Sequence, residues 1–326
     1  MYKAQPLTGN YFKIFSGVYN DFCQNCATDY KFEIAPLDYK GFIEYFEKGL
    51  IQCLVLLEDD VPTGFLAYST AENPAIELFI IHIIGEADLE KKAEMLAKEF
   101  LKVTAELRTT RLISYPMLGK QQKYKEKFEK LGFKFIDLAV MVFDPADKLQ
   151  QREIQNMPSI GLPIGYKIVS YTDIYFEDLV EAINLSFSNS SDVNYDERFG
   201  TVAGSRDIAE KITGSFYGKF ISSASKVLLF ENKFAGFCLA NITADTIGNI
   251  PLVGVLPEYR GQGLSKTMLR MVLEDIVKSV KSGFLRLSEI NASVDLNNES
   301  AVKMYKGLGF KESYSYPQGY LERPNT

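Results

Sequence analysis

Residues Leu252 to Leu269 join an apolar strand to an amphipathic helix through a glycine loop, and this junction limits what the chain can fold into. Leu252 to Leu256 read as a buried strand within an expected span of 248–256. Pro257 turns the chain, Arg260-Gly261-Gln262-Gly263 form the loop, and a helix opens after Gly263. The helix carries Leu264, Met268, Val272, Ile276 and Val280 at a spacing of four, which is one apolar face packed on a sheet. Strand, loop and helix in that order belong to an α/β fold. A helix start exposes unpaired backbone N–H groups at a positive dipole end, so it attracts anions. Glycine permits φ > 0 and lets the backbone come close to a phosphate. The segment reads as a pyrophosphate cradle.

Two familiar cradles do not fit. The dinucleotide pattern G-x-G-x-x-G fails because Lys266 stands at the third glycine, and G-x-x-x-x-G-K-[ST] is absent. What stands is Val255-Leu256-Pro257-Glu258-Tyr259-Arg260-Gly261-Gln262-Gly263-Leu264-Ser265. After a strand expected over 284–294 comes Asn298-Glu299-Ser300-Ala301-Val302-Lys303-Met304-Tyr305-Lys306-Gly307-Leu308-Gly309-Phe310. Asn298 suits a helix N-cap, and Ala301 and Tyr305 share a helix face. Gly309 ends the helix and Phe310 anchors the next strand. In this order and spacing the two segments resemble motifs A and B of the GCN5-related N-acetyltransferases (GNAT). The resemblance covers roughly residues 165 to 320 and departs at Ser265, where the family usually has Gly or Ala.

The resemblance implies a mixed, mostly antiparallel central sheet flanked by helices. It implies transfer of an acetyl group from acetyl-CoA, as co-substrate, to a primary amine of a small molecule or peptide by direct attack on the thioester. Under it, Val253 and Val255 offer backbone groups to the pantetheine and thioester, and an N–H near Val255 polarises the carbonyl. The N–H groups of Gly261, Gln262, Gly263, Leu264 and Ser265 hold the pyrophosphate, with Arg260 adding charge. Asn298 contacts the cofactor or braces its helix, and Tyr305 contacts the cofactor and is the general acid for the departing thiolate. Many relatives carry a glutamate six residues before the Val255 position, where this chain has Asn249, which takes no proton. The replacements are Glu289, taken here as the second catalytic residue, Asp245, or a water chain. Asp192, Asp196 and Glu197 lie where the family often binds acceptors, and they read as a solvated loop. Asn249 keeps open a non-catalytic acetyl-CoA sensor or scaffold; an acyl-carrier or aminoacyl transferase also stays open. The acceptors left open are a small amine, an aminoglycoside-like antibiotic, an amino acid, a peptide N-terminus and the thiol-sugar precursor of mycothiol-type synthases.

A chain of 326 residues accommodates two domains. Polar residues with Pro163 read as a linker over 148–164, between domains at 1–147 and 165–326. The first half echoes the second: Gly64 and Gly236, like Ile83 and Val255, are 172 apart, and Phe128 and Tyr305 are 177 apart. In place of the Arg-Gly-Gln-Gly loop the first half has Gly85-Glu86-Ala87-Asp88-Leu89-Glu90, whose carboxylates repel a pyrophosphate. Phe128 lacks the hydroxyl of Tyr305. The expectation is a tandem arrangement with a degenerate first domain that does not bind acetyl-CoA productively.

A net charge of −6 without a basic tract argues against nucleic acid as a partner. No apolar run reaches a membrane span and the first ten residues show no signal pattern, so a cytoplasmic protein without membrane contact is expected. The expected partner is the amine acceptor, and a homodimer is left open. Cys23 and Cys26 form a lone C-x-x-C, Cys53 and Cys238 stand apart, and His82 is the only histidine, so no metal is expected. His82 lies within Ile80-Ile81-His82-Ile83-Ile84 and reads as a satisfied buried histidine.

Overall fold

In the computed structural model, which describes residues 1–32, 35–70, 75–105, 107, 112–156 and 161–322, the chain divides into two units. One is residues 1–136 with 316–326, the other residues 137–315. The first runs β1 (Tyr2–Pro6), α1 (Phe12–Tyr30), α2 (Tyr39–Glu47), β2 (Gln52–Glu58), β3 (Val61–Ser69), β4 (Ala75–Ile83), α3 (Leu89–Thr104), β5 (Leu112–Pro116), α4 (Lys125–Lys130) and the start of β6 (Lys134–Phe143). Strands β1 to β4 pair antiparallel in chain order, and β5 lies parallel to β4. Residues 318–322 complete this sheet, pairing antiparallel with β5 from Gln318↔Pro116 to Glu322↔Leu112. Leu89, Ala93, Leu96 and Phe100 put one face of α3 on one side of the sheet. Phe15, Tyr19 and Phe22 of α1 cover the other side over Val55, Phe65 and Ile80.

The second unit takes β6 from Asp137 onward, then α5 (Lys148–Asn156), β7 (Tyr166–Ser170), α6 (Phe176–Phe187), α7 (Val202–Thr213), β8 (Lys219–Phe220), β9 (Lys226–Phe230), β10 (Lys233–Cys238), β11 (Asn241–Ala244) and β12 (Ile247–Asn249). It continues through β13 (Val253–Val255), α8 (Leu264–Lys281), β14 (Glu289–Asp295) and α9 (Glu299–Lys306) into β15 (Lys311–Glu322). Its strands form the orders β6-β14-β12-β11-β8 and β7-β9-β10-β13. Among the described residues, the β12–β14 pairing is the parallel one within these two orders. The apolar row of α8 is buried from Leu264 to Ile276, as its spacing predicts. Helices α6 and α7 pack on the other side, with Leu179, Ile183 and Ile208 over Val227 and Phe237. This is the α/β class with mostly antiparallel sheets that the motifs imply.

Three local expectations change. The stretch read as linker opens with α5, whose first turn is capped by Asp147 Oδ1 accepting from Leu149 N–H at 2.7 Å; residues 157–160 of it lie outside the described residues. The strand expected over 284–294 begins only at Glu289, and Phe284 is 81% exposed. The strand expected over 248–256 is two strands, β12 and β13.

The internal repeat is visible as register. Gly64 pairs with Ile83 and Phe65 with His82, while Gly236 pairs with Val255 and Phe237 with Gly254. A Cβ at Gly64 would lie 2.7 Å from His82 O, and one at Gly236 the same distance from Gly254 O, so both positions exclude a side chain.

His82 is fully buried, with Nδ1 2.8 Å from the Tyr30 hydroxyl and Nε2 3.1 Å from Asp21 Oδ2. Neutral imidazole suits this setting: Tyr30 donates to Nδ1 and Nε2–H faces the carboxylate. Burial lowers the ring's pKa to about 4, outweighing the upward pull of Asp21. The unfolded chain then takes up a proton before the folded one. Stability is full above the ordinary histidine value of 6.5 and declines as pH falls toward 4, by roughly 3 kcal/mol. The urea midpoint should therefore drop between pH 7 and pH 4.5, and His82→Gln should flatten the drop. Equal slopes in the two proteins would place the proton elsewhere.

Candidate active site

Pro251 stands between β12 and β13 and has no N–H to donate. The parallel ladder of β12 on β14 runs Ile247↔Glu289, Gly248↔Ile290, Asn249↔Asn291, and Ile250 N–H to Asn291 O at 2.8 Å closes it. Beyond Pro251, β13 pairs with β10 instead. Strands β13 and β14 therefore part. Leu239 N–H reaches Leu252 O and Leu256 N–H reaches Ala235 O, both at 2.9 Å. Backbone groups alternate in direction along a strand. Residues 252, 254 and 256 thus address β10, while Val253 and Val255 point theirs into the opening. The Val255 carbonyl accepts from Arg260 Nε at 2.9 Å.

The first unit shows what such an edge accepts. Ile81 lies 172 residues before Val253, and its N–H donates to Gln121 Oε1 at 2.8 Å. The Tyr115 hydroxyl donates to the same oxygen at 2.7 Å, and Gln121 is fully buried. A side-chain amide carbonyl fills the place. Among the described residues no side chain does this at Val253.

The loop has the backbone its glycines predict. Gly261 has φ 81 and Gly263, the N-cap of α8, has φ 71. A Cβ at either would meet nothing within 4 Å, so backbone conformation rather than crowding asks for glycine. Consecutive N–H groups in such a turn form an anion-binding nest at the helix start. Arg260 also donates from Nη2 to Ser186 O at 3.2 Å, so it ties the loop to β13 and to α6. Gln262 Nε2 donates to the Tyr166 hydroxyl at 3.1 Å. Lys266, which the sequence reading used only to reject a dinucleotide motif, adds a cation in the first turn of α8. Its Nζ lies 2.9 Å from the Cβ position of Gly307, beside the end of α9.

Asn298 caps α9, its Oδ1 accepting from Ala301 N–H at 3.1 Å. Tyr305 is buried in the core shared by Val255, Leu264 and Met268, and its ring meets Phe310 edge-on at 5.2 Å. Burial pushes its hydroxyl well above the usual tyrosine range, and Cys238 and Asp192 add to the rise. Cys238 is the register partner of Val253. Glu289 stands opposite Ile247, at the end of the β12–β14 ladder away from the parting. Asp245 lies beyond it in the turn before β12. The structure thus groups Val253, Val255, Arg260 to Ser265 and Tyr305, and places Glu289 at a remove from them. The carboxylate that Tyr305 senses is Asp192, which accepts from the Tyr195 hydroxyl at 2.6 Å and Ser190 Oγ at 2.7 Å. No local pattern links a loop residue after α6 to a tyrosine on α9.

Residues 202–310 match the model of the acetyltransferase (GNAT) family. That segment of the chain is similar to a GNAT domain. The chain's whole length shares a fold with solved GNAT proteins. A GCN5-related N-acetyltransferase from Sphaerobacter thermophilus superposes with a TM-score of 0.64 at 14% identity, over 100% of this chain and 97% of that one. A tandem GNAT protein of the clavulanic acid biosynthesis pathway, solved without AcCoA, gives 0.59 at 13% identity over 100% of both chains. The GCN5-related glucosamine N-acetyltransferase region of a fungal multi-domain GH3 β-N-acetylglucosaminidase gives 0.61 at 12% identity, over 98% of this chain and 38% of that chain. No curated protein matches the chain. The GNAT fold is one that supports acyl transfer. No helix among the described residues is long and apolar enough to cross a membrane.

Proposed function

We propose that the second unit transfers an acetyl group from acetyl-CoA to a primary amine. The observation that carries this reading is the edge of Val253 and Val255, freed by Pro251 and lying beside a glycine nest at a helix start. The residues suit acetyl-CoA. Gln121 in the first unit presents an amide carbonyl to Ile81 N–H, the kind of group a pantetheine arm carries, and Val253 keeps that place for a ligand. The N–H groups of residues 261–265 would hold the pyrophosphate, with open space where the two glycines lack Cβ atoms. Lys266 adds charge that Arg260, engaged with two carbonyls, spends on the loop.

Bound acetyl-CoA supplies an acyl group activated by its sulfur. Val255 N–H would polarise the thioester carbonyl, as a backbone oxyanion donor does. Tyr305, kept protonated by burial, would give its proton to the departing thiolate, and the proton shed by the amine nitrogen as the amide forms would return through water to the Tyr305 phenolate. An amine arriving partly neutral needs no strong base, which suits Asn249 at the position where many relatives have glutamate. In the first unit Gln121 closes the corresponding edge and the buried Phe128 replaces Tyr305, so that unit serves architecture.

Asn249 favours a second reading, a sensor that binds acetyl-CoA without turnover. Calorimetry with acetyl-CoA, paired with coenzyme A release from a panel of amines, separates the two. The enzyme reading expects one micromolar site per chain and release with at least one amine. Tight binding with no release for any amine leaves the sensor, and no binding removes both.

A further inference from the structure

The acyl-transfer reading leaves the acceptor open, and one face of β14 speaks to its chemistry. Ile290, Ala292 and Val294 are buried in the core with α8, so the alternate residues Glu289, Asn291, Ser293 and Asp295 lie on the opposite face. The rungs Asn241↔Asn249 and Asn249↔Asn291 set three asparagines side by side on that face, across β11, β12 and β14. This row is the last rung before β13 and β14 part. Asn241 is fully buried, and its Nδ2 donates to Tyr217 O at 2.6 Å, which fixes the amide's orientation. Its Oδ1 is sealed without a partner among the described residues, so Asn241 acts from beneath the row.

The charge around the row is one-sided. At the other end of β14, Asp295 accepts from Ser191 Oγ at 2.6 Å, beside Asp192. No Lys or Arg of β11, β12 or β14 stands on this face. Arg198, in the loop before α7, is spent on Asp196, Asp207 and the Tyr217 hydroxyl.

Resting on the acyl-transfer reading, we propose that the acceptor is a polyhydroxylated primary amine of the amino-sugar class, its hydroxyls bound at Asn249 and Asn291, with the buried Asn241 bracing the row. A side-chain amide both donates and accepts, as a hydroxyl does, and the carboxylates at the ends of β14 draw an ammonium. An amino acid would bring its carboxylate against Glu289 and Asp295 with no cation to meet it. A site built for hydroxyls rejects an analogue lacking them, because its polar groups are then left unpaired.

The test uses the full chain, with glucosamine, alanine and cyclohexylamine as acceptors and coenzyme A release as readout. Glucosamine is expected to have a kcat/KM at least tenfold above the other two. Asn249→Ala and Asn291→Ala should each raise its KM about tenfold, with a smaller effect on kcat and an unchanged acetyl-CoA Kd. Alanine or cyclohexylamine used as well as glucosamine overturns the proposal, as does an unmoved KM in both variants. The wild-type panel decides even if a variant fails to fold. Absence of acetyl-CoA binding would instead bring down the acyl-transfer reading, and this proposal with it.

Discussion

Replacing Gly261 and Gly263 together by valine raises the Kd for acetyl-CoA at least about 100-fold in a chain that still folds. Both residues hold positive φ, where a β-branched side chain is strained by roughly 1–2 kcal/mol. Nothing lies within 4 Å of either added Cβ, so the substitution meets no wall and the core beneath Leu264 is undisturbed. The loop relieves its strain by leaving the left-handed region, which turns its N–H groups away from one another. Each hydrogen bond to a charged oxygen contributes about 1.5–3 kcal/mol, so losing two costs at least the 2.7 kcal/mol or so that corresponds to a factor of 100. Calorimetry with acetyl-CoA, alongside a thermal melt showing a fold kept within a few degrees, checks this. An unaltered Kd would place the phosphates away from this loop.

Tyr305→Phe should lower kcat at least about 100-fold and leave the Kd for acetyl-CoA unchanged. The phenyl ring keeps its edge-on contact with Phe310, so only the hydroxyl is lost. The wild-type pH profile gives a second reading of the same group. Burial raises the hydroxyl's pKa above its ordinary 10.0, so the proton is still present at pH 10 and no alkaline loss from Tyr305 appears below it. A kcat that halves by pH 9 in wild type and not in the variant would show that the hydroxyl is not held as the structure holds it. Equal kcat in both proteins removes Tyr305 from the chemistry.

Both sites lie in the part of the molecule that the sequence makes most legible. Motif A depends on two glycines and a helix face with period 3.6, and motif B on an N-cap and a terminating glycine; all act within about a turn or two of chain. Their backbone outcomes, positive φ at Gly261 and Gly263 and the Asn298 cap, follow locally. The parting of β13 from β14 was signalled too, by Pro251, but an apolar run on both sides concealed it. Phe284 to Leu287 shows why β14 begins late: apolar residues extend a strand only where a partner strand lies alongside. The asparagine row is a product of register, since Asn291 reaches Asn249 only through the α8 crossover. The same holds for Asp192 near Tyr305 and for Gln121 on Ile81, where the contact exists only once the chain has folded.

The first unit's sheet is finished by residues 318–322, and this sets a timetable for biosynthesis. A ribosome delivers β1 to β5 long before their last neighbour exists. Residues 137–315 must come first, roughly 10–40 s of translation at about 5–20 residues per second. Throughout that interval the far side of β5 offers unpaired backbone groups to any passing strand. The N-terminal half is therefore the part completed last, and a stop codon just before Tyr316 would injure the half of the protein already made.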